Sequence, residues 1–205
     1  MIKSKFGDRV DGWLHAGLPF LFHKRVSPNL LTLVGTFVSL LAAAAFAAGR
    51  FRSAGVLILA GGVFDLIDGV VARHHAMVTR FGGFLDSTLD RLVDMALLVG
   101  VAVYFAARGD APHVGLVGMA LITSVLVSYA QARAELVVPD FRVGLFERAE
   151  RIVVLALGAL FGFLVPALWI ISLGSAITLA QRFSKAYQEM EQIDASERAV
   201  LRERG

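Results

Sequence analysis

The sequence predicts an all-α, polytopic membrane protein with six transmembrane helices and an N-terminal amphipathic juxtamembrane helix. Of its 205 residues, 57% are hydrophobic and the mean hydropathy is +0.68, whereas soluble domains contain roughly 45–50% apolar residues. Its apolar runs are long enough to cross ~30 Å of hydrocarbon. Its basic residues cluster at alternate ends of these runs, as they do in multi-pass proteins.

The six predicted spans follow one another with short connections, so we expect a single domain over 1–205. They are 29–49, 53–73, 82–107, 114–135, 146–165 and 166–187. Ser27 and Pro28 favour the start of the first helix, because a capping hydroxyl precedes a proline at the first helical position. The six-helix core is therefore predicted over 28–187, followed by a polar tail, 188–205, that is a solvated helix or a frayed end.

Residues 1–27 have a different pattern, with apolar side chains at near-helical spacing and charged residues between them. This pattern predicts an amphipathic helix lying on the cytoplasmic leaflet. A helix packed on the cytoplasmic ends of the spans is an equally good interpretation. The apolar positions are Phe6, Val10, Trp13, Leu14, Leu18 and Leu21.

Basic residues indicate the orientation of the spans. Arg50, Arg52 and Arg108 fall on one face, and the other seventeen of the twenty Lys and Arg fall on the face shared by both termini. The positive-inside rule therefore predicts a multi-pass protein of the cell membrane with both termini in the cytoplasm. Because these charges lie between apolar segments, they do not indicate a nucleic-acid partner. The chain has no cysteine, which excludes disulfides and thiolate metal sites.

Four carboxylates are predicted to converge at the cytoplasmic ends of the second and third spans. Asp65 and Asp68 share a helix face by their i, i+3 spacing, and Asp86 and Asp90 share one by i, i+4. A short connection makes these helices antiparallel neighbours. Four charged carboxylates in a low-dielectric site require cations. Oxygen ligands favour Mg²⁺, Mn²⁺ or Ca²⁺ over zinc, and two such ions suit phosphoryl transfer.

Spacing alone leaves two other interpretations open. Intramembrane carboxylates also form proton relays or ion pathways, so a six-helix ion-coupled transporter is an alternative. They can also form ion pairs, here with Arg73 and Arg91. Asp94 continues the i, i+4 row one turn deeper, and we expect it to have a supporting structural role.

The stretch from Asp65 to Asp90 resembles the signature of the CDP-alcohol phosphotransferase (CDP-alcohol phosphatidyltransferase) family. It reads D-x-x-D-G-x-x-A-R, then eight residues, then G-x-x-x-D-x-x-x-D, with all eight specified residues present over 26 positions. The six spans, the juxtamembrane helix and the Pro28-Asn29 entry extend the resemblance over nearly the whole chain. Every position that the signature fixes is filled.

The resemblance implies a role for each signature residue. Asp65, Asp68 and Asp86 would bind two divalent ions, Mg²⁺ or Mn²⁺, and Asp90 would be both a metal ligand and the general base. The CDP-lipid would be bound by Asn29, Asp68, Gly69, Ala72, Arg73 and Gly82. The acceptor hydroxyl would attack the lipid phosphorus directly and release CMP, since no Ser, Cys or His is placed as an obvious nucleophile. The lipid is CDP-diacylglycerol or a CDP-archaeol.

The acceptor alcohol has to be inferred outside the signature. Candidate acceptor-binding residues at the cytoplasmic ends of the last three spans are Gln131, Arg133, Arg148, Arg151 and Arg182. Arginine binds phosphate through two parallel hydrogen bonds, so the group suits a phosphorylated polyol, although positive-inside topology explains part of it equally well. The S-Y-x-x-A-R-A-E and E-R-x-E-R stretches are similar to those of phosphatidylinositol phosphate synthases.

One departure weakens this comparison, because those synthases usually have a lysine where this chain has Gln131. From the resemblance we still expect inositol phosphate as the acceptor. Glycerol 3-phosphate, or an unphosphorylated alcohol such as inositol or serine, is the alternative. Small residues in the spans, including Gly61, Gly62 and Ala42–Ala45, allow close helix contact. They fit a homodimer, which is common in the family, or packing within one subunit.

Overall fold

The computed structural model describes residues 27–74, 79–141 and 143–203, and side chains at 72–74 and at a few positions near the C-terminus are not described. These ranges contain six α-helices and no strand. The helices are α1 Pro28–Ala47, α2 Phe51–His74, α3 Arg80–Ala106, α4 Ala111–Ala134, α5 Arg148–Phe161 and α6 Leu164–Glu203. The all-α prediction is confirmed, and the predicted juxtamembrane helix lies, apart from Ser27, outside the described residues.

Local capping explains where the helices begin. Pro28 opens α1 as predicted, but the Ser27 side chain makes no capping hydrogen bond; its carbonyl accepts from Leu30 N at 3.0 Å. Thr79 caps α3 through its hydroxyl oxygen, which accepts from Gly82 N at 2.9 Å. Asp110 opens α4 in the same way. These side chains satisfy backbone N–H groups that have no partner within the helix.

The boundary between the fifth and sixth predicted spans is wrong. The sequence predicts it at 165–166, but α5 ends at Phe161 and Gly162 adopts the left-handed conformation with φ 80°. Pro166 lies in the first turn of α6, where a proline is tolerated because its missing N–H would have no helical partner. The sixth helix also continues past 187 to Glu203, so the predicted core and tail are one continuous helix.

Four helical segments are long and apolar enough to cross a membrane: Pro28–Ala47, Phe51–Val71, Ala111–Ala134 and Leu164–Ser196. The other two helices fall short for different reasons. The helix α3 is long enough, but its first half is not apolar, because it carries the charged residues Asp86, Asp90, Arg91 and Asp94. The helix α5 has 14 residues, which at 1.5 Å per residue is roughly 21 Å, less than the ~30 Å of hydrocarbon.

Small residues bring α1 very close to α2 and α3. A Cβ added to Gly61 would lie 2.3 Å from Ser39 Oγ, and one added to Gly100 would lie 2.3 Å from the Ala43 carbonyl oxygen. Ala42 and Ala43 are buried within the subunit, whereas nothing lies within 4 Å of a Cβ added to Gly62. Most of these small residues therefore serve packing inside the chain and hold the first three helices together.

The main apolar core lies toward one end of the bundle. Its buried side chains flank the α1–α2, α3–α4 and α5–α6 turns, and the largest fully buried ones are Phe46, Ile58, Leu97, Leu168 and Ile171. The opposite ends of α2, α3 and α5 carry carboxylates and arginines instead. The fold therefore separates a packed apolar half from a polar half, and the latter contains the candidate site.

Candidate active site

Three of the four predicted carboxylates meet at the polar end of the bundle. One oxygen from each of Asp65, Asp68 and Asp86 lies within 4.8 Å of the others. Mg²⁺ and Ca²⁺ bind oxygen at about 2.0–2.6 Å, so two ligands of one ion lie at most about twice that distance apart. The three residues therefore fit a hard divalent cation. Asp90, one turn deeper on α3, is not a member of this group.

Thr32 on α1 supports the metal-ligand candidate Asp68. Its hydroxyl donates to Asp68 Oδ2 at 2.6 Å, and both side chains are buried. A hydrogen bond of this kind fixes the orientation of a carboxylate toward a metal. Thr32 is 36 residues away in sequence, and no local pattern marks it, which is why the sequence analysis missed it.

Arg148 lies among the carboxylates of α2 and α3. Its guanidinium is 2.8 Å from Asp90 Oδ1, 3.1 Å from Asp65 Oδ2 and 3.3 Å from Asp94 Oδ1. Ion pairs were considered with Arg73 and Arg91 instead. Arg91 donates to the Ser87 carbonyl at 2.5 Å, and the Arg73 side chain lies outside the described residues.

Arg151, one turn further along α5, is 96% buried and pairs with Asp94, with 3.0 Å between Nη2 and Oδ2. Its Nη1 atom and the Ser124 hydroxyl have no hydrogen-bond partner among the described residues. Both residues line a space of about 20 Å³ beside Asp94. Arg148 and Arg151, both predicted from the sequence, thus share one carboxylate that is not part of the signature.

The other acceptor candidates lie at the loop between α4 and α5. Arg182 is buried and donates to the carbonyls of Val143, at 2.8 Å, and Val127, at 2.5 Å. Gln131 donates to Glu135 and to the Phe141 carbonyl, and Arg133 is exposed. Gln131 and Arg182 therefore hold the backbone of Phe141 and Val143 against the helices.

The candidate CDP-lipid residues lie where α1 and α3 begin. A Cβ added to Gly82 would lie 3.0 Å from Thr79 Oγ1 and 3.3 Å from Asn29 Oδ1. Gly82 is thus the close-approach position between these two helix starts. Gly69 is half-buried on α2, one residue after Asp68. The side chains of Ala72 and Arg73 are outside the described residues.

Two cavities reach this end of the bundle. The larger has a volume of about 360 Å³, and its polar lining includes Asp65, Asp90 and Arg148. Its wall is otherwise mostly apolar and includes the exposed side chains of Leu59 and Val63. The cavity therefore extends from the carboxylates to the exposed outer surface of the helices.

The second cavity, of about 170 Å³, lies between α3 and α4. Arg91, Asp94, Ser128 and Tyr129 are among its lining residues. Asp94 also borders the small space beside Arg151. The two cavities thus lie on different sides of α3, with the Asp86–Asp90–Asp94 row between them.

Comparisons with known proteins agree with this arrangement. A sequence model described as CDP-alcohol phosphatidyltransferase matches residues 25–181. Archaetidylinositol phosphate synthase of Pyrococcus horikoshii is 36% identical over 81% of this chain and 86% of its own. Phosphatidylinositol phosphate synthase of Streptomyces avermitilis is 38% identical over 86% of this chain and 79% of its own.

Solved structures of phosphatidylinositol phosphate synthase from Mycobacterium tuberculosis are similar as well. The form with CDP-DAG bound superposes with a TM-score of 0.73 at 29% identity, covering 88% of this chain and 92% of that one. The form in complex with manganese and citrate gives a TM-score of 0.74 over 88% of both chains. The family match spans most of the chain, including all signature residues. The chain therefore belongs to the CDP-alcohol phosphatidyltransferase family, whose enzymes transfer a phosphatidyl group and release CMP.

Proposed function

We propose that this enzyme transfers the phosphatidyl group of a CDP-lipid to inositol phosphate. One observation carries the proposal: Asp65 belongs both to the group of three converging carboxylates and to the lining of a mostly apolar cavity that also includes Asp90 and Arg148, beside Arg151 on α5. An amphiphile with a diphosphate head fits such a cavity, and a second, anionic substrate fits the arginine side. The similar synthases named above share inositol phosphate in their names and differ in the lipid.

We assign two divalent ions, Mg²⁺ or Mn²⁺, to Asp65, Asp68, Asp86 and Asp90. The donor set is entirely oxygen, which suits these ions. The grouping of Asp65, Asp68 and Asp86 supports the first ion, and Asp90, one turn along the same face as Asp86, would contribute to the second. When bound, the ions neutralise the diphosphate and the departing CMP oxygen.

The chain's own residues then orient the two substrates. Asn29 and Gly82, together with Asp68, Gly69, Ala72 and Arg73, would hold the cytidine and diphosphate, while the lipid chains occupy the cavity beside Leu59 and Val63. Asp90 would accept the proton of the acceptor hydroxyl. The new oxygen–phosphorus bond forms as the bond from that phosphorus to CMP breaks, so CMP leaves with the electron pair. Orientation of this kind supplies a large part of the rate enhancement.

We assign the acceptor phosphate to the arginine side of α3. Arg148 and Arg151 are the strongest candidates because each is held by Asp94 close to the carboxylates. Gln131, Arg133 and Arg182 would act at its cytoplasmic edge. The cavity between α3 and α4, about 170 Å³ in volume, has hydroxyl groups that suit a polyol. Glycerol 3-phosphate remains the second candidate, supported by the same cations.

We further propose six membrane crossings, with the short helix α5 as the fifth, and with both termini and the active site in the cytoplasm. The basic residues of the sequence support this orientation. Residues 1–27 would form the juxtamembrane helix, and the protein would act as a homodimer in the cell membrane. Molar mass in nanodiscs, with the lipid contribution subtracted, tests the dimer.

The decisive experiment is an acceptor panel. Purified enzyme with radiolabelled CDP-diacylglycerol or CDP-archaeol is given inositol phosphate, glycerol 3-phosphate, inositol or serine in parallel. We expect inositol phosphate to give the highest kcat/KM, with product formation lost in EDTA and restored by Mg²⁺ or Mn²⁺. Preference for an unphosphorylated alcohol would overturn the acceptor, and full activity without any metal would overturn the metal assignment.

A further inference from the structure

The carboxylate of Asp94 lies outside the family signature and outside the group of possible metal ligands. Its side chain is 11% exposed and occupies the α3 face of Asp86 and Asp90, one turn deeper. Both of its oxygens are used: Oδ1 accepts from Arg148 Nε at 3.3 Å, and Oδ2 accepts from Arg151 Nη2 at 3.0 Å. A largely buried carboxylate that accepts from two arginines in this way fixes the direction of both guanidinium groups.

These ion pairs connect two helices whose backbones lie close to each other at hardly any point. The helix α5 packs closely against α2 and α6, and α3 packs closely against α1 and α4, but α3 and α5 have hardly any close backbone contact. The large cavity lies between them. Asp94 is therefore a polar contact between α3 and α5 beside this cavity, and it helps to set the distance between the two helices.

Arg151 depends on Asp94 more than Arg148 does. Arg148 has two further carboxylate partners, Asp65 and Asp90, whereas Asp94 provides the one ion pair found for Arg151 among the described residues. Because Arg151 is 96% buried, its charge requires a nearby anion. The Nη1 atom that Asp94 leaves unused has no partner among the described residues.

We propose that Asp94 is a positioning residue that orients Arg151, and to a lesser degree Arg148, for the phosphate of the acceptor. This rests on the proposed phosphorylated acceptor. Arg148 also contacts Asp65 and Asp90, which are assigned to metal ions. Asp94 is the one carboxylate partner found for Arg148 among the described residues that is not assigned to a metal ion. Once two divalent ions balance the four signature carboxylates, Arg148 and Arg151 face one remaining carboxylate, Asp94, and leave a net positive charge for an incoming anion.

The test compares Asp94→Asn with wild type and with Asp94→Glu in the purified full-length enzyme. Asn keeps the shape and loses the charge that holds Arg151. We expect the KM for inositol phosphate to rise roughly ten- to hundredfold, as for the loss of a charge-assisted contact, while the KM for the CDP-lipid changes little. Asp94→Glu keeps the charge and should recover part of the loss.

Two further readouts separate positioning from other roles. Mn²⁺ stoichiometry, measured by electron paramagnetic resonance without acceptor, should match wild type in Asp94→Asn; loss of one ion would make Asp94 a metal ligand and overturn the proposal. In an Arg151→Ala background, Asp94→Asn should add little to the acceptor KM. Full additivity of the two changes would overturn the link through Arg151.

The outcomes also distinguish this inference from the proposed function. Wild type is measured first: if it uses no phosphorylated acceptor, the proposed acceptor class and the role of Asp94 both fall. If wild type uses inositol phosphate or glycerol 3-phosphate and Asp94→Asn has an unchanged acceptor KM, only the positioning role is wrong. An equal loss of affinity for both substrates indicates a general structural role and also overturns it.

Discussion

The polar end of the bundle has a carboxylate side and an arginine side, which differ in how their charges are balanced. On the carboxylate side, Asp65, Asp68 and Asp86 lie together, and Arg148 is the one described cation that pairs with any of them. On the arginine side, Arg151 and Arg182 are compensated by a carboxylate and by backbone carbonyls. The first arrangement needs external cations, whereas the second is built before any ligand arrives.

Asp68→Asn tests the carboxylate side and has the largest expected effect. Losing a metal ligand removes several kcal/mol of charge stabilisation in the transition state, so we expect CMP release to fall by about 10³ or more. Asp110→Asn, a carboxylate at the opposite end of the bundle, is the matched control and should retain wild-type activity. Near-normal turnover of Asp68→Asn would remove it from the metal site.

Thr32→Val gives a graded version of the same test, since it removes only the hydroxyl that donates to Asp68. Loss of such a supporting hydrogen bond costs about 10–100-fold in metal affinity or activity. Added Mg²⁺ should therefore restore much of the rate in Thr32→Val and little in Asp68→Asn.

Asp90→Asn tests the residue at the border of the two sides. Removing a general base lowers the rate by about 10²–10⁴, and we expect CDP-lipid binding to weaken less than turnover. Single-turnover rates and CDP-lipid affinity, measured on the same preparation, separate the two effects. A variant with near-normal turnover would assign the base elsewhere.

Arg151→Ala should have an intermediate effect, which we expect in the KM for the acceptor and not in the KM for the CDP-lipid. A charge-assisted hydrogen bond contributes about 1.5–3 kcal/mol, which corresponds to a rise in acceptor KM of roughly one to two decades. Arg182→Ala should raise the acceptor KM too, but with a lower melting temperature, because Arg182 also holds the backbone at Val143. Arg52→Ala is the control on the opposite face. Wild-type acceptor kinetics in both variants would show that these arginines serve topology alone.

Gln131→Lys should have the smallest effect and the opposite sign. A lysine here can still donate to Glu135 and Phe141, the present partners of Gln131, and it adds a cation near the acceptor side. A partly exposed charge contributes roughly 0.5–1 kcal/mol, so the acceptor KM should fall about two- to fivefold. As a control, Gln188→Lys adds the same charge on a different helix, α6, and should leave the acceptor KM unchanged. A raised KM in Gln131→Lys would mean that Gln131 acts through the loop.

The same contrast explains what the sequence could predict. The spacing of Asp65, Asp68 and Asp86 reports a helix face directly, and a short connection brings neighbouring helices together, so their convergence was predictable. Thr32 and Arg148 come from elsewhere in the chain, 36 and 83 residues from their partners Asp68 and Asp65. Those contacts depend on tertiary packing, which periodicity does not describe.

The ends of helices were also difficult to predict from the sequence. Proline at 166 and glycine at 162 are both residue types that occur at helix ends, and the residue types alone do not show which of them ends α5. In the structure, Gly162 takes the left-handed conformation and Pro166 is accommodated in the next helix. Arg182 was predicted as a phosphate ligand, and the structure adds two carbonyl contacts that no residue pattern could reveal.

The length of α6 has a practical consequence. Forty residues correspond to about 60 Å of helix, roughly twice the thickness of the hydrocarbon layer. A rod of this length must protrude from a detergent micelle or nanodisc. A rigid helical partner fused in register at Glu203 would therefore project clear of the belt and serve as a fiducial marker. A 22.1 kDa protein could then be aligned and imaged as a single particle.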